Sequence, residues 1–346
     1  MGGRTPPREP DPTPRAKVVL RDVARAAGVS HQTVSRVLNE HPLVAPSTRA
    51  RVLDAIRTLD YRPHATARAL ATGQTRTLGV ITSDPTRYGP AKTVQSISEA
   101  AEEAGWTVSV VEVRSADPEV ISATIERLTA QQVQGIITIA PYRAVAKAVM
   151  SVPYRIPMMS IHASPDATVP AVSFDNFGGA QRAVQHLLDL GHTNVWHISG
   201  LPDWLSAEER VKGWRAALEA IRVTPPPLLV GDWGAASGFE AGLTLAKRDD
   251  VTAVFASNDQ MALGAMRALQ ENGRRIPEDV SVIGFDDIPE AGYLLPPLTT
   301  IRPAHQEVGR RCLAMILELI DGGSPASEQV VAAELVVRRS TAPPSS

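Results

Sequence analysis

The stretch GVSHQTVSRVLN, residues 28–39, places a short polar helix directly after a sharp turn. Gly28 supplies the positive φ that such a turn requires, and Ser30 can cap the helix that follows. The apolar residues at helical spacing in this helix are Val34, Val37 and Leu38. Its opposite face carries His31, Gln32, Ser35 and Arg36. The pattern predicts a helix that packs on one side and presents hydrogen-bonding side chains on the other.

The flanking sequence predicts two further helices. Apolar residues repeat at helical spacing before the stretch, at Leu20, Val23, Ala24 and Ala27, and after it, at Val52, Ala55, Ile56 and Leu59. Pro46 suits the start of the third helix, where its missing N–H leaves nothing unpaired. A helix, a glycine turn and a second helix with a polar outer face form a helix-turn-helix arrangement.

Charge is distributed unevenly along the chain. Residues 15–76 contain eleven lysine or arginine residues and four aspartate or glutamate residues, whereas the whole chain has a net charge of −2. The head is therefore basic and the remainder acidic, which favours a polyanionic partner for the head. An exposed basic face without a partner is the alternative, and charge alone does not exclude it.

The residue types on the polar face suit DNA. An α-helix fits the major groove, where an amide such as Gln32 can pair with adenine and a guanidinium such as Arg36 with guanine. His31 lies at the helix start, where recognition side chains meet bases. The short polar residues suited to phosphate oxygens are Ser30, Thr33, Ser35 and Asn39. Ser30 alone is better explained as a helix cap, but the polar residues together, in a basic domain, favour DNA binding.

From about Leu78 the sequence alternates between apolar strands and helices. The predicted strands are 77–83, 106–113, 135–140, 158–163 and 171–175 in a first block, and 194–200, 228–233, 251–259 and 280–287 in a second. Predicted helices at 91–104, 178–190, 206–221, 235–247 and 260–272 lie among them. Such alternation predicts an α/β fold with parallel sheets covered on both faces. Two blocks predict two lobes, and ligands bind such sheets beyond the carboxyl ends of the strands.

Composition narrows the class of protein. A length of 346 residues predicts two or three domains, and a single cysteine, Cys312, excludes an internal disulfide framework. The proline-rich residues 1–17 are expected to form a disordered tail. With neither a signal-peptide pattern nor an apolar run long enough to span a membrane, we expect a soluble cytoplasmic protein. No cofactor, metal or catalytic constellation is predicted; the two histidines of HLLDLGH are not at helical metal-pair spacing.

Four motifs resemble the LacI/GalR family of transcriptional regulators. They are LRDVARAAGVSHQTVSRVLN, YRPHATARALATGQT, SNDQMALGAMRAL and GFDDIPEAGYLLPPLTTIRP, and the similarity runs from Val18 to Ser340. The resemblance implies a three-helix helix-turn-helix head at 18–62, a hinge helix or linker at 63–76, and a two-lobed periplasmic-binding-protein-like core at 77–346 for effector binding and dimerisation. The first lobe would comprise about 77–174 and 304–333, and the second about 175–303 and 334–340.

The resemblance also assigns roles to residues of the hinge and the helix starts. Leu70 matches a leucine that wedges between base pairs in the minor groove. The alternative is a flexible linker, which we also expect of the hinge in the free protein. Val19 and Ala45 stand where the family usually has serine or threonine caps. Each of these helix starts is expected to lose about 1 kcal/mol if nothing compensates.

A sugar requires paired hydrogen-bonding groups for its hydroxyls and a flat apolar surface for one ring face. The candidate residues lie at or just after strand ends and match effector-contacting positions of the family: Ser83, Ser206, Arg210, Trp233, Asn258 and Asp286. His162 joins them as a departure, because the resemblance would suggest aspartate there. Trp233 could instead belong to the core, Asn258 could fix a turn, and Asp286 or Asp287 could cap the next segment. Together, at one sheet edge, the set favours binding.

We therefore expect a repressor of sugar-utilisation genes. It would bind a near-palindromic operator in double-stranded DNA as a homodimer and be released by a small sugar, a galactoside or related hexopyranoside. The last residues, VVRRSTAPPSS, carry no leucine heptad, which favours a dimer over a tetramer. The alternatives are a regulator with a purine-like corepressor, a sugar-binding transport protein of the same fold, and an α/β enzyme. The basic helix-turn-helix at 18–76 argues against the transport protein.

Overall fold

The computed structural model describes residues 18–38, 43–61, 75–140, 142–162 and 169–345. The chain divides into two compact units, Met1–Thr75 and Arg76–Ser346. The proposed tail at 1–17, Asn39, most of the hinge at 63–76 and its Leu70 lie outside the described residues.

The described residues of the N-terminal unit form three helices, α1 (Leu20–Ala27), α2 (His31–Leu38) and α3 (Pro46–Thr58). They pack around a small core in which Val23, Val34 and Val52 are fully buried. Gly28 follows α1 in the left-handed conformation, with φ 61° and ψ 40°. The Ser30 hydroxyl accepts a hydrogen bond from the Thr33 N–H at 3.2 Å, so it caps α2. The helix-turn-helix arrangement is confirmed.

The starts of α1 and α3 have no side-chain cap from the residue before the helix, as the sequence indicated at Val19 and Ala45. At α1 the loss is partly compensated, because the Asp22 carboxylate accepts a hydrogen bond from the Val19 N–H at 3.0 Å. At α3, Pro46 removes one N–H that would otherwise need a partner, but it does not replace the missing side-chain cap at Ala45.

The described part of the second unit forms two six-stranded sheets. Its strands are β1 (Thr77–Thr82), β2 (Thr107–Glu112), β3 (Gly135–Ile139), β4 (Met158–Ile161), β5 (Ala171–Phe174), β6 (Trp196–Ser199), β7 (Leu229–Val230), β8 (Ala253–Ala256), β9 (Ser281–Phe285), β10 (Thr299–Pro303), β11 (Glu328–Val331) and β12 (Ala333–Val336). The first sheet has the order β11-β5-β4-β3-β1-β2, and the second β12-β10-β9-β8-β6-β7. Each described pair of strands is parallel except β10 with β12. We call the parts built on these sheets the first lobe and the second lobe.

Helices cover the sheets, as the alternation predicted. They are α4 (Tyr88–Glu103), α5 (Pro118–Ala130), α6 (Arg143–Ser151), α7 (Asn176–Asp189), α8 (Leu205–Ala220), α9 (Ala235–Ala246), α10 (Asp259–Glu271) and α11 (His305–Ile320). A 3-10 helix spans Pro289–Tyr293. The α/β class and the parallel sheets are confirmed, whereas α5, α6, α11 and the strands β10, β11 and β12 were not predicted. None of the described helices is long and apolar enough to cross a membrane.

The chain passes between the two sheets three times. The crossings lie between β5 and α7, between β10 and α11, and between β11 and β12. Helix α11 returns to the first lobe, where it packs against β3, β4 and β5. The three crossings bring residues 174–176, 303–305 and 331–333 to the junction of the lobes, close to the carboxyl ends of the strands.

Candidate functional site

The outer face of α2 presents the side chains that the sequence selected for DNA. His31, Gln32 and Arg36 are exposed, while Val34 and Val37 are buried against the other two helices. Ser35 is half-buried, and the Thr33 hydroxyl lies 2.9 Å from that of Ser30. The helix therefore leaves an amide, an imidazole and a guanidinium accessible, the groups that can read base edges.

A cavity of about 270 Å³ lies between the lobes of the second unit. It is lined by six of the seven predicted effector residues, namely His162, Ser206, Arg210, Trp233, Asn258 and Asp286. Ser83 is not among the lining residues: it is buried directly after β1, and its N–H donates to the Ile139 carbonyl at 3.3 Å. The volume of the cavity is close to the lower end of the range of small-molecule sites, about 300–1,000 Å³.

Arg210 is the centre of the polar side of this cavity. Its Nε donates to Asn176 Oδ1 at 3.0 Å, its Nη2 donates to Asp286 Oδ1 at 3.3 Å, and its Nη1 donates to the Ser257 carbonyl. The guanidinium carbon lies 3.6 Å from the centroid of the Phe285 ring. Each of the three guanidinium nitrogens donates a hydrogen bond, and an aromatic ring packs against one face. The guanidinium is therefore held in one orientation.

Asp286 follows β9 and faces Arg210 from within the protein. Its pKa is raised to about 6, because burial disfavours the charged form, while the Arg210 guanidinium offsets part of the rise. Its backbone has φ 105°, a strained conformation for a residue with a side chain. The neighbouring Asp287 has a structural role instead, since it accepts hydrogen bonds from Arg302 and Arg338 at 2.6 Å each. Asp286 thus supplies a fixed carboxylate beside a fixed guanidinium.

Trp233 and Asn258 belong both to the cavity wall and to the local structure. The Asn258 Oδ1 accepts from the Met261 N–H at 2.9 Å, which caps α10, and its Nδ2 donates to the Trp233 carbonyl at 3.0 Å. The centroids of the Trp233 and Trp204 rings lie 5.0 Å apart. Gly200 passes so close beneath Trp233 that a Cβ there would lie 2.1 Å from the indole. The turn and core interpretations of these residues are thus correct, and the same contacts fix the indole at the cavity.

The first lobe contributes imidazoles and aromatic rings. His162 and Phe174 have ring centroids 6.0 Å apart, and Phe174 lies 4.8 Å from His305. The pKa values of His162 and His305 are both lowered to about 4, mainly because burial disfavours the imidazolium. The Nε2 of His305 has no hydrogen-bond partner among the described residues. Both imidazoles are therefore neutral at physiological pH and can donate to or accept from hydroxyl groups.

Sequence reasoning missed several lining residues, namely Arg87, Tyr88, Thr93, Phe174, Asn176, Trp204 and His305. Phe174 ends β5 and Asn176 follows it, so the strand-end rule that selected Trp233 would have found both. His305 follows β10, whose short sequence TTIRP gave no strand signal. Among the described residues no cluster of histidine, cysteine, aspartate or glutamate could hold a metal ion. The arrangement is suited to non-covalent recognition of a small polar molecule.

Comparison with known proteins agrees with both parts of this description. Residues 19–64 match the bacterial regulatory proteins of the lacI family, and residues 184–341 match the periplasmic binding protein-like domain. The chain is 35% identical to the lactose operon repressor of Escherichia coli K12 over 94% of this chain and 91% of that protein. It is 33% identical to the HTH-type transcriptional repressor PurR of Haemophilus influenzae strain PittEE, over 93% of this chain and 98% of that one.

The fold is also found in solved structures. A Lac repressor dimer bound to operator and the anti-inducer ONPF has a TM-score of 0.82 and 34% identity. That similarity covers 94% of this chain and 100% of the other. Identity at this level over nearly the whole length, together with the exposed recognition face of α2 and the two-lobed second unit, shows that the chain belongs to the LacI family and is a DNA-binding transcriptional repressor.

Proposed function

We propose that this repressor controls sugar-utilisation genes and is released from its operator by a sugar bound between the lobes. The effector would be a galactoside or a related hexopyranoside. The protein would act as a homodimer on a near-palindromic site, with one recognition helix for each half-site.

One observation carries the assignment of the effector: the wall that joins Arg210, Asp286 and the Trp233 indole. The guanidinium and carboxylate are adjacent, with Arg210 Nη2 3.3 Å from Asp286 Oδ1, so they can bind neighbouring hydroxyls as donor and acceptor. The indole supplies an apolar surface for the C–H face of a pyranose ring. The neutral His162 and His305 on the other wall favour an uncharged ligand.

Binding between the lobes gives the effector a route to the DNA-binding unit. A ligand that touches both lobes stabilises one relative orientation of them. Residues 62–76 connect the helix-turn-helix to β1 of the first lobe, so a change in that orientation alters the spacing of the two connections in a dimer. The effector must prefer one orientation, since equal affinity for both shifts nothing. Coupling of about 1–3 kcal/mol is usual for such systems.

Leu70 belongs to this proposal as the residue that wedges into the minor groove of the operator. Leu70→Ala should lower operator affinity and DNA bending together while sugar affinity stays unchanged. Unchanged bending by this variant, measured by fluorescence energy transfer across an end-labelled operator, would exclude the wedge.

A purine-like corepressor is the main rival, because Tyr88 and Phe174 also line the cavity and could stack on a flat base. Calorimetry of the full chain against galactose, lactose, glucose, adenine and hypoxanthine separates the two. We expect a sugar to bind and Asp286→Ala to abolish binding without changing operator affinity. Binding of a nucleobase, with no sugar bound at millimolar concentration, would overturn the proposal.

A further inference from the structure

Beside the cavity, a group of contacts joins the two lobes directly. Arg143 Nε donates to Glu208 Oε1 at 3.1 Å, and Arg143 Nη2 donates to Glu208 Oε2. The Arg143 N–H donates to the Asp203 carbonyl at 3.0 Å. Tyr142 forms a backbone bridge with Trp204, and their ring centroids lie 5.1 Å apart in an edge-to-face arrangement. We call these five residues the clasp.

The clasp is independent of the three covalent crossings. Tyr142 and Arg143 stand at the start of α6, which follows β3 of the first lobe. Asp203, Trp204 and Glu208 follow β6 of the second lobe, at the start of α8. None of the five lies in the crossings at 174–176, 303–305 or 331–333. A rotation of the lobes about the crossings must therefore make or break the clasp.

Trp204 connects the clasp to the ligand cavity. Its side chain is 4% exposed and lines the cavity. Its ring packs against Tyr142 on one side and lies 5.0 Å from the Trp233 ring, with an interplanar angle of 49°. The start of α8, held by Arg143, also carries Ser206 and, one turn later, Arg210. The position of these cavity residues relative to the first lobe thus depends on whether the clasp is formed.

We propose that the clasp holds the lobes in the orientation that closes the cavity, and that Arg143 is a positioning residue for the effector site. The inference rests on the proposed function for its consequence, which is that the clasp determines how tightly the effector is enclosed. The guanidinium and carboxylate make two parallel hydrogen bonds, a geometry that is lost after a small displacement. Such an interaction is suited to distinguish two orientations.

The strength of the ion pair is suited to a switch. The Arg143 side chain is 51% exposed and that of Glu208 is 26% exposed, so solvent screens their attraction. A pair of this kind changes the ratio of two conformations by about two- to fivefold. The clasp can therefore favour closure without preventing the lobes from opening.

A distance measurement on the full chain tests the clasp without any ligand. Cys312, the only cysteine, is fully buried, so cysteines introduced at the exposed Lys147 on α6 and Glu240 on α9 would take spin labels selectively. Labelled protein diluted into unlabelled protein reports distances within one subunit. We expect Arg143→Glu and Glu208→Arg each to lengthen or broaden the distance distribution, and the double charge reversal to restore it.

Lys212→Glu is the matched control. Lys212 Nζ lies 2.7 Å from Glu209 Oε1 on the same helix, but that pair does not join the lobes. The Lys212→Glu variant should leave the distances between the spin labels unchanged. Single reversals that leave the distances unchanged, or a double reversal that fails to restore them, would overturn the clasp.

Calorimetry with galactose supplies the second measurement. We expect Arg143→Glu to weaken galactose binding about fivefold and the double reversal to recover it. If the double reversal restores the distances between the labels but does not recover galactose binding, Arg143 has no role in the effector site. If galactose, lactose and glucose all fail to bind the wild-type chain while the distances respond as expected, the proposed sugar effector falls and the clasp stands.

Discussion

Arg36 is the exposed residue of the recognition face with the most specific chemistry. Its planar guanidinium can make two hydrogen bonds to a guanine edge, which no other residue on the face can reproduce. We predict that Arg36→Ala costs about 1–3 kcal/mol of operator binding and relaxes specificity at one guanine. Binding titrations on operators selected from a random library, with every base tried at each position, measure both effects.

Arg57→Ala provides the comparison for Arg36→Ala. Arg57 is an exposed arginine of α3 whose Nη2 lies 3.3 Å from Asp54 Oδ1, so its loss removes the same charge from the same unit. Both variants should lose some operator affinity because each lacks one positive charge. In both, operator affinity should also fall less steeply with rising salt concentration than in the wild type. Only Arg36→Ala should alter base preference, and equal base preference in both variants would remove Arg36 from the recognition set.

Asp286 should make sugar binding dependent on pH. Its pKa of about 6 means that the carboxylate is mostly ionised at pH 7.5 and mostly protonated at pH 5.5. If the carboxylate accepts a sugar hydroxyl hydrogen bond, affinity should fall about fourfold between those two pH values. The pKa values of His162 and His305, about 4, keep both imidazoles neutral over this range. Calorimetry at half-unit steps of pH gives the profile.

The same pKa shift has an opposite consequence for folding. Because the folded-state pKa of Asp286 lies above the ordinary value of 3.8, the folded state holds the proton more tightly than the unfolded state. This contribution to stability is present below about pH 4 and is lost as the pH rises through about 6. Asp286→Asn should remove both dependences. A sugar affinity that still falls at low pH in this variant would assign the titration to another group.

The start of α3 offers a test at the level of a single helix. The methyl side chain of Ala45 cannot accept a hydrogen bond from the free N–H groups of the first turn. We predict that Ala45→Ser stabilises α3 by about 1 kcal/mol, because the serine hydroxyl can accept one of them. Hydrogen exchange of the α3 amides in the full chain, slower by about fivefold, would show it.

Ser30 is the natural counterpart of Ala45. Its hydroxyl already caps α2 through the Thr33 N–H, at 3.2 Å. Ser30→Ala should therefore destabilise α2 by about 1 kcal/mol and accelerate exchange of its amides. If exchange is unaffected while operator binding weakens, Ser30 acts on the DNA phosphates and not on the helix.

Strands with a strong apolar pattern were predictable, and strands without one were not. The central strands β1, β3, β8 and β9 are nearly continuous apolar runs, because they are buried on both faces. By contrast β11 reads EQVV and is exposed at alternate positions on a sheet edge. Strand β10 contains Arg302 and Pro303, which weaken any strand signal. These elements form because a partner strand is available, and the local sequence does not contain that information.

The residues of the cavity likewise fall into those that the sequence could place and those that it could not. Arg210, Trp233 and Asp286 could be predicted because parallel strands bring their carboxyl ends to one edge. The distances of Asn176 and His305 from these residues could not be predicted, because they depend on where the chain crosses between sheets. The hydrogen bond from Arg210 Nε to Asn176 Oδ1, at 3.0 Å, joins residues 34 positions apart in sequence. Contacts made by residues at the crossings are therefore a property of topology and packing.

The assembly of two subunits is the final prediction, and it follows from an exposed apolar segment. Tyr293 is 87% exposed and Leu295 is 82% exposed, an unusual state for two large apolar side chains two positions apart. The segment is held against α10, since Gln270 Nε2 donates to the Leu295 carbonyl at 2.8 Å, so it can present a fixed surface. We predict that it lies in the dimer interface of the second unit.

Replacing both residues, Tyr293→Asp with Leu295→Asp, should convert the protein from dimer to monomer at micromolar concentration, because a buried pair of carboxylates cannot be tolerated there. Operator affinity should fall at least tenfold, about 1.4 kcal/mol, since a monomer reads only one half-site. Val230→Asp, at a 56% exposed position on the edge strand β7, changes the same kind of residue elsewhere and should leave the dimer intact. Light scattering decides between the outcomes. A wild-type monomer or tetramer would contradict the predicted dimer. A double variant that remains dimeric would contradict this interface, because the exposed tyrosine and leucine would then not be what joins the two subunits.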